Sequence, residues 1–136
     1  MIMASDGGGI NNRGLEKLIR EMGTDVEGSP GFWEFTAYGQ RLYCITDESQ
    51  DRMRVMTSIA DASKLTPDIL TVCMEANFDR ALDARYCLHD NVLWAAFMHP
   101  LRSLRPNHFR SACSQVAKLS ENFGTSYSSG QLRFGS

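Results

Sequence analysis

Residues 32–46 read FWEFTAYGQRLYCIT, two segments of alternating apolar residues joined through a glycine. Trp33 and Phe35 fall on one face of the first segment if it is extended, and the second segment alternates in the same way. Gly39-Gln40 fits the centre of a type II′ hairpin turn, which takes glycine at its first central position. The stretch therefore predicts two antiparallel strands, at Phe32–Tyr38 and Arg41–Thr46.

The neighbouring sequence extends this hairpin into a sheet. A third strand with a mixed outer face is expected where Met53, Val55, Thr57 and Ile59 alternate with Arg52, Arg54, Met56 and Ser58. The connections are too short for parallel crossovers, so the three strands are expected to form an antiparallel meander.

A second hairpin is predicted further along the chain. Asp90-Asn91 fits a two-residue turn of the type I′ class between Ala84–His89 and Val92–Met98. The segment after the turn is apolar on both faces. An antiparallel strand of that kind is expected to be covered on both faces.

Apolar stripes with helical spacing predict three helices, over Asn11–Gly23, Pro67 to about Arg80, and Pro106–Phe123. Thr66 is expected to cap the second helix, because proline suits the position after a cap. The second helix has few charges around its circumference, so it is either deeply buried or shared with a partner. Thr24–Gly31 contains glycine, serine and proline and is predicted as a loop.

The predicted order is α-βββ-α-ββ-α, an α+β domain with three helices and an antiparallel sheet of about five strands. We expect a flexible N-terminus over residues 1–10, a single domain over 11–124 and a loose C-terminal tail over 125–136. No internal repeat or linker indicates a second domain.

Composition narrows the class of protein. The 136 residues carry 14 Lys and Arg against 16 Asp and Glu, a net charge of −2, and 43% of them are hydrophobic. Near-neutral charge without a basic block argues against a nucleic-acid partner. No apolar run approaches the ~20 residues of a membrane span, and Met1–Asn12 lacks the pattern of a signal peptide. We therefore expect a cytoplasmic protein without membrane contact.

The spacing of cysteines and histidines shows no metal or redox motif. The cysteines contain no CxxC pair and are expected to be buried free thiols, at Cys44, Cys73, Cys87 and Cys113. The three histidines lack the spacing of metal ligands. The sequence therefore predicts no catalytic residue, no metal and no cofactor.

One pair of residues leaves an alternative function open. Cys87 and His89 point to one face of a strand and could form a thiolate–imidazole couple, with His99 in the same pocket. The simpler interpretation is a semi-exposed strand pair. The alternative function is therefore a small enzyme or small-ligand binder with a pocket between sheet and helices.

Apolar residues are the stronger candidates for function. Trp94, Phe97 and Met98 give the second hairpin a large aromatic and sulfur-bearing surface, and Ile69 and Cys73 mark one face of the weakly charged helix. These residues are either plain core or the interface with a partner or a second copy, because homodimers commonly bury such patches. We take these five as the candidate interface.

Five short sequence segments lie within the predicted elements of Asn11–Phe123. They are Phe32–Phe35, Arg54–Ile59, Glu75–Asp79, Ala84–Tyr86 and Leu93–Phe97. Together they resemble the YbjN-like domains, whose fold is similar to that of type III secretion chaperones. The resemblance implies a non-enzymatic bacterial binding domain, usually a homodimer, associated with regulation or with holding a protein client.

A client of such a domain could bind as an added strand, which requires an exposed sheet edge. The candidate edges are the first meander strand and the last strand, whichever lies outermost.

Overall fold

The computed structural model describes residues 9–79 and 81–123. In chain order the elements are α1 (Asn12–Met22), β1 (Thr24–Ser29), β2 (Phe32–Ala37), β3 (Gln40–Asp47), β4 (Arg52–Asp61), a 3-10 turn (Ala62–Lys64), α2 (Pro67–Asp79), β5 (Arg85–His89), β6 (Val92–His99) and α3 (Pro106–Glu121). Within the described ranges, no helix combines the length and the apolar character needed to cross a bilayer.

The strands form one antiparallel sheet of six strands in the order β1-β2-β3-β4-β6-β5. The predicted α+β class and antiparallel sheet are confirmed, with six strands rather than about five. The last strand, β6, lies between β4 and β5, because the second hairpin joins the meander through its second arm. The order of the strands along the chain therefore differs from their order in the sheet.

The core lies between the sheet and the helices α1 and α3. Trp33 and Phe35 of β2 are fully buried, as are Leu15 of α1 and Phe109 of α3. The Trp33 indole Nε1 donates a hydrogen bond of 2.8 Å to the carboxylate of Glu16, which ties α1 to the sheet. This bond, together with the nearby guanidinium of Arg20, lowers the pKa of Glu16.

The predicted loop at Thr24–Gly31 is wrong, because β1 occupies Thr24–Ser29 and pairs with β2. The strand was not predicted because its side chains are almost all exposed and show no apolar alternation. Gly28 adopts a φ of 107°, and a Cβ there would collide with the carbonyl oxygen of Phe32. Glycine therefore permits the close approach of the two chains.

The two predicted hairpin turns are of the same kind, although the sequence predicted different ones. Ala37 pairs with Gln40, so Tyr38 and Gly39 are the central residues, not Gly39-Gln40. Their φ angles are 53° and 78°, and positive φ at both positions is typical of the type I′ turn. The type I′ turn predicted at Asp90-Asn91 is consistent with φ angles of 51° and 63°.

The starts of the helices follow the predicted chemistry. The Thr66 hydroxyl oxygen accepts a hydrogen bond of 3.2 Å from the backbone N–H of Ile69, and Pro67 is the first residue of α2. Pro106 likewise begins α3, which ends at Glu121 rather than at Phe123. The predicted C-terminal tail over 125–136 lies outside the described residues, as do residues 1–8, 80 and 124.

Strand β6 is covered by helices on one face, not on two as predicted. Leu93, Ala95 and Phe97 are buried in the core. On the opposite face Trp94 is half-buried and Met98 is 57% exposed. The excess apolar surface of this strand therefore lies on the face of the sheet turned away from the core.

Neither of the two predicted candidate edges is an edge of the sheet, since β2 and β6 are both internal. The edge at β5 is blocked by Asn77 of α2. Its amide nitrogen Nδ2 donates 3.1 Å to the carbonyl oxygen of Tyr86, and its Oδ1 accepts 2.7 Å from the N–H of Tyr86. One side chain thus replaces the backbone pairing of a further strand and fixes α2 to the sheet.

Replacing Asn77 by alanine is expected to lower the free energy of unfolding by about 1–3 kcal/mol, because both backbone groups of Tyr86 lose their partner. Asn77→Asp keeps only the acceptor and is expected to fall between alanine and the wild type. Urea unfolding followed by circular dichroism measures the change, with Asn107→Ala as an exposed control on α3. Equal stability of Asn77→Ala and Asn107→Ala would contradict this role.

Candidate docking face of the sheet

The face of the sheet turned away from the helices carries the candidate site, and we call it the open face. Cross-strand pairs place two rows of side chains on it. One row is formed by Phe32, Ile45, Arg54 and Met98, and the next by Glu34, Tyr43, Met56, Ala96 and Arg85. Trp94 and Cys87 follow as a directly opposed pair in a third row.

Three aromatic rings run across this face from β2 to β6, and we call them the aromatic row. The rings of Phe32 and Tyr43 are stacked, with centroids 6.2 Å apart and an interplanar angle of 11°. Tyr43 meets Trp94 edge to face at 6.2 Å and 77°. The Trp94 indole donates 3.3 Å to the carbonyl oxygen of His89, which holds the ring in place. The row is therefore an ordered platform rather than a set of isolated rings.

Aliphatic and sulfur-bearing side chains continue the apolar surface beside the aromatic row. Met56 and Ile45 are half-buried, and Met98 is exposed. A shallow cavity of about 360 Å³ is lined by Ile45 and Met98 together with the two arginines Arg52 and Arg54. The open face thus combines a broad apolar centre with positive charge at one side.

One of the arginines on this face is already paired. The Arg41 guanidinium lies 2.9 Å from the carboxylate of Glu34 and also donates 2.9 Å to the Thr36 hydroxyl oxygen. The Glu34 carboxylate raises the pKa of Arg41. The positive charge of Arg41 is therefore balanced by Glu34.

The five predicted interface residues occupy three different places. Cys73 and Phe97 are buried in the core of their own chain, so they are core residues. Trp94 and Met98 lie on the open face. Ile69 is half-buried on α2 and packs against the core.

The alternative enzymatic site does not assemble. Cys87 and His89 lie on the open face beside Trp94 and Val92, whereas His99 lies on the helix face, with its ring 5.7 Å from that of His108. His89 instead contacts the neighbouring Asp90 at 3.2 Å. Among the described residues no group of three or more cysteine, histidine or acidic side chains is arranged to hold a metal.

Burial disfavours the thiolate form of the cysteines. Cys44, Cys73 and Cys113 are buried free cysteines, as predicted, and Cys87 is half-buried. Burial raises the pKa of all four thiols, that of Cys73 to about 11. At Cys87 the positive charges of Arg54 and Arg85 oppose this shift without cancelling it.

A second apolar surface, on the outer side of α2, was not predicted in detail. Met74 and Phe78 lie one turn apart and are 52% and 91% exposed. Leu70 is half-buried one turn before them. We call these three residues the α2 stripe. The scarcity of charges on this helix was the sequence signal for it, but the sequence could not show which side faces the core.

Comparison with known proteins places the fold. No family model matches the chain, and no curated protein matches it. Among solved structures, the chain is similar to a chain of the HopA1-SchA chaperone-effector complex. The TM-score is 0.60 at 12% sequence identity, over 80% of this chain and 88% of that chain. The α+β fold of the type III secretion chaperone kind, expected from the sequence, is therefore shown.

Ellman's reagent at about pH 8 is expected to react slowly with one thiol of the native protein, Cys87, and with all four after denaturation. Because the pKa of Cys87 is raised, its rate should keep increasing as the pH rises above the ordinary thiol range. Cys87→Ser should abolish the native reaction. A native rate above that of glutathione at the same pH would contradict the raised pKa.

Proposed function

We propose that this protein is a non-enzymatic, chaperone-like binding module that holds an extended segment of a client protein against the open face of its sheet. The observation that carries the proposal is the aromatic row. Phe32, Tyr43 and Trp94 form an ordered apolar platform on a face that no described helix covers. Contiguous apolar surface of this kind is typical of sites for protein partners.

The shape of the open face suits an extended segment. Antiparallel strands present their side chains at regular intervals, and aromatic rings accept many apolar partners at small cost in conformational entropy. Met56 and Met98 add flexible side chains that adapt to different partners. The face therefore favours a client recognised by apolar side chains over one small rigid ligand.

The likeness to a chain from a chaperone-effector complex supports the same function. The finer resemblance to YbjN-like domains stays a prediction that depends on the five short sequence segments within Asn11–Phe123. A cytoplasmic location is part of the proposal, since a chaperone-like module meets its client where the client is synthesised.

A homodimer formed through the α2 stripe is the second part of the proposal. Phe78 is 91% exposed, the largest exposure among the exposed large apolar residues of the described chain. In a twofold dimer the same patch lies on both sides of the interface, so one stripe can cover the other. The stripe lies on the side of α2 opposite Cys73 and Ala76, which face the core. The open face then stays available for the client.

Trp94→Ala and Tyr43→Ala are each expected to weaken client binding at least about fivefold, because truncating an aromatic anchor commonly costs more than 1 kcal/mol. The probe is reduced, carboxymethylated α-lactalbumin, a permanently unfolded chain, followed by fluorescence anisotropy. Tyr38→Asn is the matched control. It removes a half-exposed tyrosine from a turn outside the aromatic row, and asparagine tolerates the positive φ there. Wild-type affinity in both alanine variants would refute the proposed site.

Phe78→Ser is expected to convert a dimer into a monomer without weakening client binding, because it removes the most exposed residue of the α2 stripe. Sedimentation velocity at micromolar concentration measures the change. Phe32→Ser is the reciprocal control, since it removes a half-exposed phenylalanine from the open face and should leave the dimer intact. A monomeric wild type, or a dimer that survives Phe78→Ser, would exclude this interface.

A further inference from the structure

The two halves of the open face carry opposite charge. On the side of β1 and β2, Glu27 lies directly opposite Glu34. Arg41 is the cation of this half, and it is paired with Glu34. On the side of β4, β5 and β6 the register places three arginines, Arg52, Arg54 and Arg85, and at one end Asp61 opposite Val92 and His89 beside Asp90. The Asp61 carboxylate already accepts hydrogen bonds from Ser63 and Asn91. The apolar centre is therefore acidic on one flank and basic on the other.

Arg54 is the cation nearest to the apolar centre. The register places it between Ile45 and Met98, in the row that begins at Phe32. Within 9–79 and 81–123, its guanidinium makes no hydrogen bond or ion pair. Its charge also lowers the pKa of Cys87 on β5, although burial of that thiol has the larger effect. The positive charge of Arg54 thus extends across β6 without a carboxylate to balance it.

Two further arginines extend this positive flank. Arg52 lies opposite Asp47, but the Asp47 carboxylate accepts hydrogen bonds of 2.7 Å from the Ser49 hydroxyl and 3.1 Å from the Gln50 N–H. These bonds lower the pKa of Asp47 and direct its carboxylate into the turn. Among the described residues, no ion pair joins Asp47 to Arg52. The Arg85 guanidinium donates to the carbonyl oxygens of Leu82 and Ala84, which are neutral.

An arginine in this position discriminates between clients. An uncharged segment laid over Ile45 and Met98 would remove water from the guanidinium of Arg54 without replacing its hydrogen bonds, and this costs free energy. A client carboxylate offers two oxygens to the planar guanidinium and so replaces the hydrogen bonds lost from water. A client lysine at the same position would be repelled by the positive charge of Arg54.

We propose that the open face selects client segments in which carboxylates alternate with apolar side chains, with Arg54 as the residue that binds a carboxylate and Arg52 supporting it. This inference rests on the proposed function and names the chemistry of its client. The occupant is a client segment rather than a second copy, because the α2 stripe is the surface assigned to a second copy, and its Phe78, at 91%, is more exposed than Phe32 or Met98 of the open face, at 49% and 57%.

The test uses three labelled probes against the full chain: a peptide of leucine, serine and glutamate, the same peptide with lysine for glutamate, and a single-stranded oligothymidine. Fluorescence anisotropy at about 20 mM and about 500 mM salt separates charge recognition from apolar contact. The glutamate peptide should bind about three- to tenfold more tightly than the lysine peptide at low salt, and the difference should shrink at high salt. Arg54→Glu should remove or reverse this preference.

Arg110→Glu is the control for net charge, because it reverses an arginine on α3, away from the open face. Equal binding of both peptides, or an unchanged preference in Arg54→Glu, would overturn the charge selection while leaving the proposed function in place. Binding of neither peptide would overturn both. Tighter binding of the oligonucleotide would assign the arginines to phosphate. A change of oligomeric state in Trp94→Ala would assign the open face to a second copy.

Discussion

Helices α1 and α3 cover one face of the six-stranded sheet, α2 packs at its β5 edge, and no described helix covers the other face. Burial of apolar area is the main favourable term in folding, so the core forms on the helix face, around Trp33, Phe35 and Phe109. The opposite face of the same strands still carries Phe32, Tyr43 and Trp94. Its rings cover one another, which orders them and leaves an apolar surface without a partner from the described chain.

Both edges of the sheet are poorly suited to the addition of a strand from another chain. At β5 the amide of Asn77 takes both backbone groups of Tyr86, so an added strand would have to displace α2. At β1 the strand is irregular between Thr24 and Glu27, and its exposed acidic side chains discourage pairing with another chain. A client recognised through side chains on the open face avoids both obstacles. This differs from the strand addition considered from the sequence.

Elements whose formation depends on neighbouring residues could be predicted from the sequence, and elements that depend on distant contacts could not. The meander and the turn at Asp90-Asn91 could be predicted because alternation and turn chemistry are local properties. Strand β1 could not, since its pairing depends on β2 and its own side chains contact water. The interface residues show the same limit. The residue types of Cys73 and Phe97 fit an interface, but both side chains lie in the core. Met74 and Phe78 lie on the exposed side of α2.

The amino-acid sequence by itself determined the fold class, the strand alternation, the helix starts and the apolar character of Val92–Met98. These depend on residues close together in the chain. Only the tertiary structure decided which of the two apolar faces of that strand meets the helices, because this depends on β6 pairing with β4 on one side and β5 on the other. The same pairing brings Arg54 beside Met98 and Ile45, since residues far apart in the chain become neighbours only when the sheet closes.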